Sequence, residues 1–244
     1  MGNSAILEEE RPVQAQISGI DHRGMRGHDI FTMRARDWSA LPGQARAVVL
    51  FLLGRPGSGK STIARLLREH FNEREVLLYD DYAFLSSMAK AERRSGRART
   101  SRARFRELLN PGQHGFEILD FSVLKLVLHR VNTSVCQHLS RSDAVILVEF
   151  ARDTYLNEHV WQYFSPEVSM SARYIYCDAD LDTCIERVGK RNQYITPEIM
   201  RGYYGQDGLP SLFQSRGAAR VDVVNTCGTL PTTQMQVLRA LNNI

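Results

Sequence analysis

Between Gly54 and Thr62 the chain reads GRPGSGKST, and each residue type in that stretch suits a polyphosphate. Gly54, Gly57 and Gly59 carry no side chain to block backbone N–H groups turned toward an anion. Lys60 brings an ammonium within reach of the β and γ phosphates, and Ser61 supplies a hydroxyl for Mg²⁺. Ser58 and Thr62 are counted with them as nucleotide-binding residues. The spacing from Gly54 through Gly59 to Lys60-Ser61 is that of a Walker A loop, so the expected ligands are ATP and Mg²⁺.

Such a loop needs a buried strand before it and a helix after it, because the helix N-terminus offers N–H groups and the positive end of its dipole. Val48 to Leu53 is an apolar run of strand length, and Ile63-Ala64-Arg65-Leu66-Leu67 continues as a helix. Four more strands are expected at Glu75–Tyr79, Ala144–Phe150, Ala172–Cys177 and Val221–Val224. Helices are expected at 83–94, 121–139, 181–190 and 230–241, with another opened by Pro197 and a loop at Asn110-Pro111-Gly112. Strands alternating with helices imply right-handed crossovers. The expected fold class is α/β: a P-loop NTPase three-layer α/β/α sandwich with a mainly parallel five-stranded sheet and a helical lid.

In such a sheet function gathers at the carboxyl ends of the strands. Asp80 ends the second strand, where it would act as a general base or orient an acceptor hydroxyl; Asp is also a favoured helix N-cap, so Asp80 or Asp81 alternatively caps the next helix. Asp81 and Tyr82 are placed on the substrate side. Glu149 ends an apolar strand at the position of a Walker B acid, ordering Mg²⁺ through water, fixing an arginine such as Arg152, or pairing locally. Arg187 and Arg191 lie four apart, a spacing that puts two guanidinium groups on one helix face. They serve either as a lid over the triphosphate or as a solvated face. Thr226, just past the last strand, is the candidate adenine contact.

The chain has 244 residues and a formal net charge of +4, enough for one catalytic domain at 47–244 after an extension at 1–46. The charge is local. Arg93, Arg94, Arg97, Arg99 and Arg102 fall in a stretch where Glu92 is the single acid, a density suited to nucleic-acid backbone phosphates, or to the phosphates of a nucleotide. Cys136, Cys177, Cys184 and Cys227 have no metal-ligand spacing and read as reduced thiols without a disulfide. No stretch has the length and apolarity of a membrane span or signal sequence, so no membrane partner is expected and the location is taken as the cytoplasm.

Four segments together resemble the P-loop kinases of the nucleoside and polynucleotide kinase group, most closely the 5′-hydroxyl polynucleotide kinase of T-even bacteriophage. They are GRPGSGKST at 54–62, DDY at 80–82, ERVGKR at 186–191 and TPEIMRGYYGQDGLP at 196–210. The resemblance covers roughly Val48 to Pro210. It implies that Lys60 and Ser61 bind ATP and magnesium, that Asp80 activates the acceptor hydroxyl, and that Arg187 and Arg191 form the lid. It departs from the family at Ala83, Phe84 and Leu85, where an acceptor-phosphate arginine would stand, so the acceptor need not be a free 5′ end. Phage kinases that phosphorylate 5-hydroxymethyluracil within DNA are similar in loop and size.

The reading is thus an ATP-dependent phosphotransferase acting on a hydroxyl of DNA or another nucleic acid, either 5-hydroxymethyluracil or a 5′ end. The alternatives are a nucleoside or small-metabolite kinase and, in a different class, an NTP-binding switch module.

Overall fold

The computed structural model describes residues 47–110, 113–141, 143–151, 163–191, 194–205 and 221–242. All of these belong to the larger of two units into which the chain divides, Leu41–Ile244. The expected extension at 1–46 lies outside the described residues, as does Arg152.

The apolar run before the phosphate loop forms β1 (Val48–Gly54), the middle strand of the sheet. Val49 through Leu53 are all at most 1% exposed, because parallel neighbours flank the strand and helices cover both of its faces. Val49, Phe51 and Leu53 join one core cluster with Val123, Val127 and Val131 of α3 (Ser122–Cys136). Leu50 and Leu52 point the other way by the two-residue period of a strand. On that side α1 (Lys60–His70) packs against β1 and buries Ile63 and Leu67. A strand covered on both faces reads as a continuous hydrophobic run, which is why it is visible in the sequence.

Around β1 stand β2 (Glu75–Asp80), β5 (Ala144–Ala151), β6 (Ala172–Asp178) and β7 (Val221–Asn225), in the order β2-β5-β1-β6-β7 with every pairing parallel. All five expected strands are present. The crossovers include α2 (Asp81–Arg94), α4 (Pro166–Ser171), α5 (Leu181–Gly189) and α6 (Pro197–Tyr204), and α7 (Leu230–Asn242) ends the chain. Pro197 stands in the first turn of α6, behind a Thr196 N-cap whose hydroxyl accepts the Ile199 N–H. No helix among the described residues is long and apolar enough to cross a membrane.

One element departs from the sequence expectation. The segment after the arginine run is not merely loop: β3 (Phe105–Asn110) and β4 (Gln113–Ile118) form an antiparallel pair separate from the main sheet. The readable signal is Asn110-Pro111-Gly112 between two six-residue runs, a turn sequence with a strand on each side. Glu92 of α2 anchors the pair. Its buried carboxylate accepts N–H bonds from Arg104 (2.7 Å) and Phe105 (3.2 Å) and from the Arg104 guanidinium (2.8 Å). Burial pushes this carboxyl up, but the Arg104 and Phe105 hydrogen bonds outweigh that and hold it below its usual range.

Candidate active site at the strand ends

At the end of β1 the chain turns through Gly54 (φ 140°), Gly57 (φ 82°) and Gly59 (φ 92°), and α1 starts from the last of these without a side-chain cap or an acid in its first turn. At Gly57 the requirement for glycine is steric as well as conformational: a Cβ there would lie 2.5 Å from the Cys184 carbonyl oxygen. The loop therefore sits directly on α5, with its backbone free of side chains on that side. Lys60 is buried, and its Nζ donates to the carbonyls of Gly54 and Arg55, both at 2.9 Å. The Thr62 N–H closes back on Gly59 O at 2.9 Å.

The loop is braced from behind. Thr226 is buried, and its hydroxyl lies 2.7 Å from Ser58 O and 3.0 Å from Asp178 O. Arg187 donates to Thr226 O at 2.7 Å and to Gly57 O at 3.4 Å. Arg55, which no sequence motif singles out, donates to Ala179 O (2.6 Å) and Tyr204 O (2.9 Å), tying the loop to α6. Ser58 Oγ, among the described residues, is buried without a hydrogen-bond partner. Arg187 and Arg191 do not share one helix face. The helix ends at Gly189, so Arg191 leaves the i,i+4 phase and lines the same pocket as Lys60 and Asp80, whereas Arg187 holds the phosphate loop and the Thr226 turn together.

Parallel register brings the acids together. Asp80 and Glu149 are paired positions on β2 and β5, and Glu149 Oε1 accepts the Ser61 hydroxyl at 2.8 Å. Asp80 is the N-cap of α2, accepting the Tyr82 N–H at 2.9 Å, so the capping alternative is realised. Capping leaves Asp80 in the pocket, with Asp81 buried beside it. Burial raises the Asp80 carboxyl above its ordinary range, opposed by the Tyr82 N–H, a hydrogen bond from Asp81 and the charge of Lys60. Burial raises Glu149 as well; Lys60, the Ser61 hydroxyl and Arg191 pull it back, while Asp80 adds to the rise.

Between these acids and the phosphate loop opens a pocket of about 170 Å³. Lys60, Ser61, Asp80, Asp81, Glu149 and Arg191 supply its main polar lining. Leu85, Phe116, Ile118 and Phe121 make one apolar side with Tyr82, whose ring stacks on Phe116 at 5.6 Å and 10°. Ile195, Ile199 and Tyr204 also line it. The phosphate-loop residues, Asp80, Asp81, Tyr82, Glu149 and Arg191 thus converge.

The arginine run does not join them. Arg93, Arg94, Arg97, Arg99 and Arg102 are exposed, and none lines the pocket. Nor is Glu92 the only acid available. Arg93 pairs with Glu107 at 2.7 Å, Arg104 with Glu92 and Arg106 with Glu117, while Arg97 donates to Arg102 O at 2.9 Å. Two of those acids lie past the end of the run in sequence: Glu107 meets Arg93 because Glu92 of α2 tethers the start of β3, and Glu117 meets Arg106 across the β3–β4 pair. The four cysteines are free, with Cys177 and Cys184 buried and Cys136 and Cys227 exposed.

Residues 49–198 match the family model described as AAA domain. No curated protein matches the sequence. Among solved structures, a gluconokinase from Sinorhizobium meliloti 1021 is 12% identical, with 82% of this chain and 94% of that one covered and a TM-score of 0.50. A sugar kinase from Janibacter sp. HTCC2649 is 14% identical over 80% of this chain and 93% of that one, at a TM-score of 0.47. A shikimate kinase from Acinetobacter baumannii in complex with shikimate is 12% identical over 81% and 92%, at 0.42. At these identities the likeness is one of fold. The comparisons support the P-loop part of the resemblance and lend nothing to its phage polynucleotide-kinase part.

Proposed function

We propose that this chain, which belongs to the AAA domain family, is a P-loop kinase transferring the γ-phosphate of ATP to a hydroxyl of a small molecule. One observation carries the reading: a single pocket joins Lys60 and Ser61 of the phosphate loop to the half-buried, raised carboxyl of Asp80. In the transfer the acceptor oxygen attacks the γ-phosphorus. The new oxygen–phosphorus bond forms as the bond to ADP breaks, and the hydroxyl proton passes to the Asp80 carboxylate.

The residues present fit the donor. The glycine cradle, in which a Cβ at Gly57 would strike Cys184, and the uncapped N-terminus of α1 suit a polyphosphate. Ser61 and Glu149 offer the hard oxygen ligands that Mg²⁺ takes, directly or through water. Mg²⁺, when bound, would neutralise charge on the phosphates. Lys60 holds the phosphates, Arg191 faces the charge that develops between donor and acceptor, and Arg187 with Thr226 keeps the loop in shape.

The nucleic-acid acceptor is the second reading, favoured by exposed Arg94, Arg99 and Arg102. It ranks below a small molecule because none of the arginines of the run reaches the pocket, and the charge of this region is partly met by Glu92, Glu107 and Glu117. The fold likeness to a gluconokinase points the same way. The experiment is incubation with γ-labelled ATP and two acceptor pools, a low-molecular-mass metabolite extract and a mixture of 5′-hydroxyl and 5-hydroxymethyluracil oligonucleotides. Label in an organic phosphate of the first pool supports the proposal. Label confined to oligonucleotides replaces it with the nucleic-acid reading, and label released only as orthophosphate replaces it with a hydrolysing switch.

A further inference from the structure

We infer that the acceptor site selects an alcohol with a flat apolar body and no negative charge, and that the β3–β4 pair is the element that makes this selection. The inference rests on the kinase reading above and goes on to name the class of acceptor.

Charge comes first. Three acids on the pocket lining, Asp80, Asp81 and Glu149, stand against the two cations Lys60 and Arg191, while Glu117, also on the lining, is already paired with Arg106. Lys60 is committed to the phosphate loop, held by the carbonyls of Gly54 and Arg55. An anionic acceptor would therefore bring its charge among buried acids with one guanidinium for relief, and like charges brought together in a desolvated site weaken binding strongly. A neutral or cationic acceptor meets no such penalty, and its hydroxyl has Asp80 to accept the proton.

Shape comes next. Tyr82 and Phe116 lie nearly parallel, and the Phe105 ring meets Phe116 edge-on at 5.5 Å and 89°, which fixes the orientation of the Phe116 ring. Phe116 and Ile118 come from β4, Tyr82 from α2, Ile195 from the segment that leads into α6 and Ile199 from α6 itself. These two parts of the pocket come into close contact at Gly115, where a Cβ would lie 1.8 Å from the carbonyl oxygen of Tyr194. Backbone meets backbone there, so the hairpin and the 194–195 segment close one side of the site without a gap that a side chain at 115 could occupy. The outcome is a slot with apolar and aromatic walls and an acidic, phosphate-facing end, suited to a ring that slides between the walls. Glu92 sets the hairpin's start by holding Arg104 and Phe105, so the wall is anchored to α2, the helix that Asp80 caps.

The test uses the full chain and three matched probes: 4-methylbenzyl alcohol, 4-(aminomethyl)benzyl alcohol and 4-(hydroxymethyl)benzoate. They share a ring and a hydroxymethyl group and differ in charge. Binding is read by ligand-observed NMR and calorimetry with ADP and Mg²⁺ present, and ATP affinity is measured alongside. The neutral and cationic probes should bind roughly tenfold or more tighter than the benzoate. Gly115→Ala, which forces the hairpin away from Tyr194, should weaken the two favoured probes several-fold while leaving ATP affinity unchanged. Should that variant fail to fold, Tyr82→Ser, on the stacked wall, replaces it with the same expected split. Equal binding of all three probes, preference for the benzoate, or no binding by any of them while ATP binds overturns the inference alone. Failure of the wild-type protein to bind ATP overturns the kinase reading beneath it.

Discussion

Asp80 and Glu149 face each other in register at the carboxyl ends of two neighbouring parallel strands, and Glu149 also accepts the hydroxyl of Ser61. The phosphate loop, Glu149 and Asp80 thereby stand together at the carboxyl ends of adjacent strands of one sheet. A small change in strand register would be felt at all three.

Asp80→Asn keeps an oxygen to accept the Tyr82 N–H, so the cap on α2 survives, but the amide cannot take the acceptor proton. Turnover should fall by roughly two to four orders of magnitude with ATP affinity little changed. Single-turnover kinetics check this. An undiminished rate would remove Asp80 from the chemistry.

The same substitution has a signed consequence for stability. Burial raises the Asp80 carboxyl, so the folded state holds this proton more tightly than the unfolded chain does. The stability contributed is complete below the unfolded carboxylate range and is lost as pH rises through the folded-state value. Asn never ionises. The Tm of Asp80→Asn minus that of wild type should therefore grow more positive as pH rises from the acid carboxylate range toward neutrality. A difference that shrinks with rising pH would mean the carboxylate is stabilised in the fold, not strained by it.

Gly57→Ala places a side chain at φ 82° and 2.5 Å from the Cys184 carbonyl. The left-handed backbone alone costs an L-residue about 1–2 kcal/mol, and relief of the clash must push the loop off α5. ATP affinity should drop by more than roughly tenfold, and Tm should fall, as measured by calorimetry. Unchanged ATP affinity would show that the loop does not need this seat.

Reversal of the exposed arginines separates the two acceptor readings. Arg94→Glu combined with Arg99→Glu should leave transfer into the low-molecular-mass pool unchanged, since neither residue lines the pocket. If DNA phosphates were bound there, oligonucleotide affinity would fall and its salt slope would flatten by about one unit for each phosphate no longer neutralised. A matching loss of transfer would return the reading to nucleic acid.

The three inner strands β1, β5 and β6 are legible in the sequence because they are apolar and covered on both faces, the edge strands β2 and β7 by shorter apolar runs that are only partly covered, and the phosphate loop is legible because its chemistry dictates residue types at fixed spacing. Asp80 and Glu149 follow from their places at strand ends. The β3–β4 pair is announced only by the Asn110-Pro111-Gly112 turn sequence, since its residues mix arginine, glutamate and apolar side chains and the small sheet stands outside the main one. With it goes the aromatic wall of Phe116 and Ile118 and the true partners of the arginine run, since Glu107 and Glu117 come close only after the hairpin forms. Counting residues puts Arg187 and Arg191 on one face, but the helix stops at Gly189, and the count holds only inside a helix. Arg55 carries no sequence signal at all, being a loop residue whose partners are backbone carbonyls far along the chain.

The measurement closest to the central claim is phosphorus NMR of ATP incubated with the full chain, Mg²⁺ and the low-molecular-mass extract. Phosphotransfer predicts a phosphomonoester resonance that grows in step with ADP and is absent with Lys60→Ala, whose fold is checked by circular dichroism. Orthophosphate appearing in step with ADP, with no new monoester, would contradict the account.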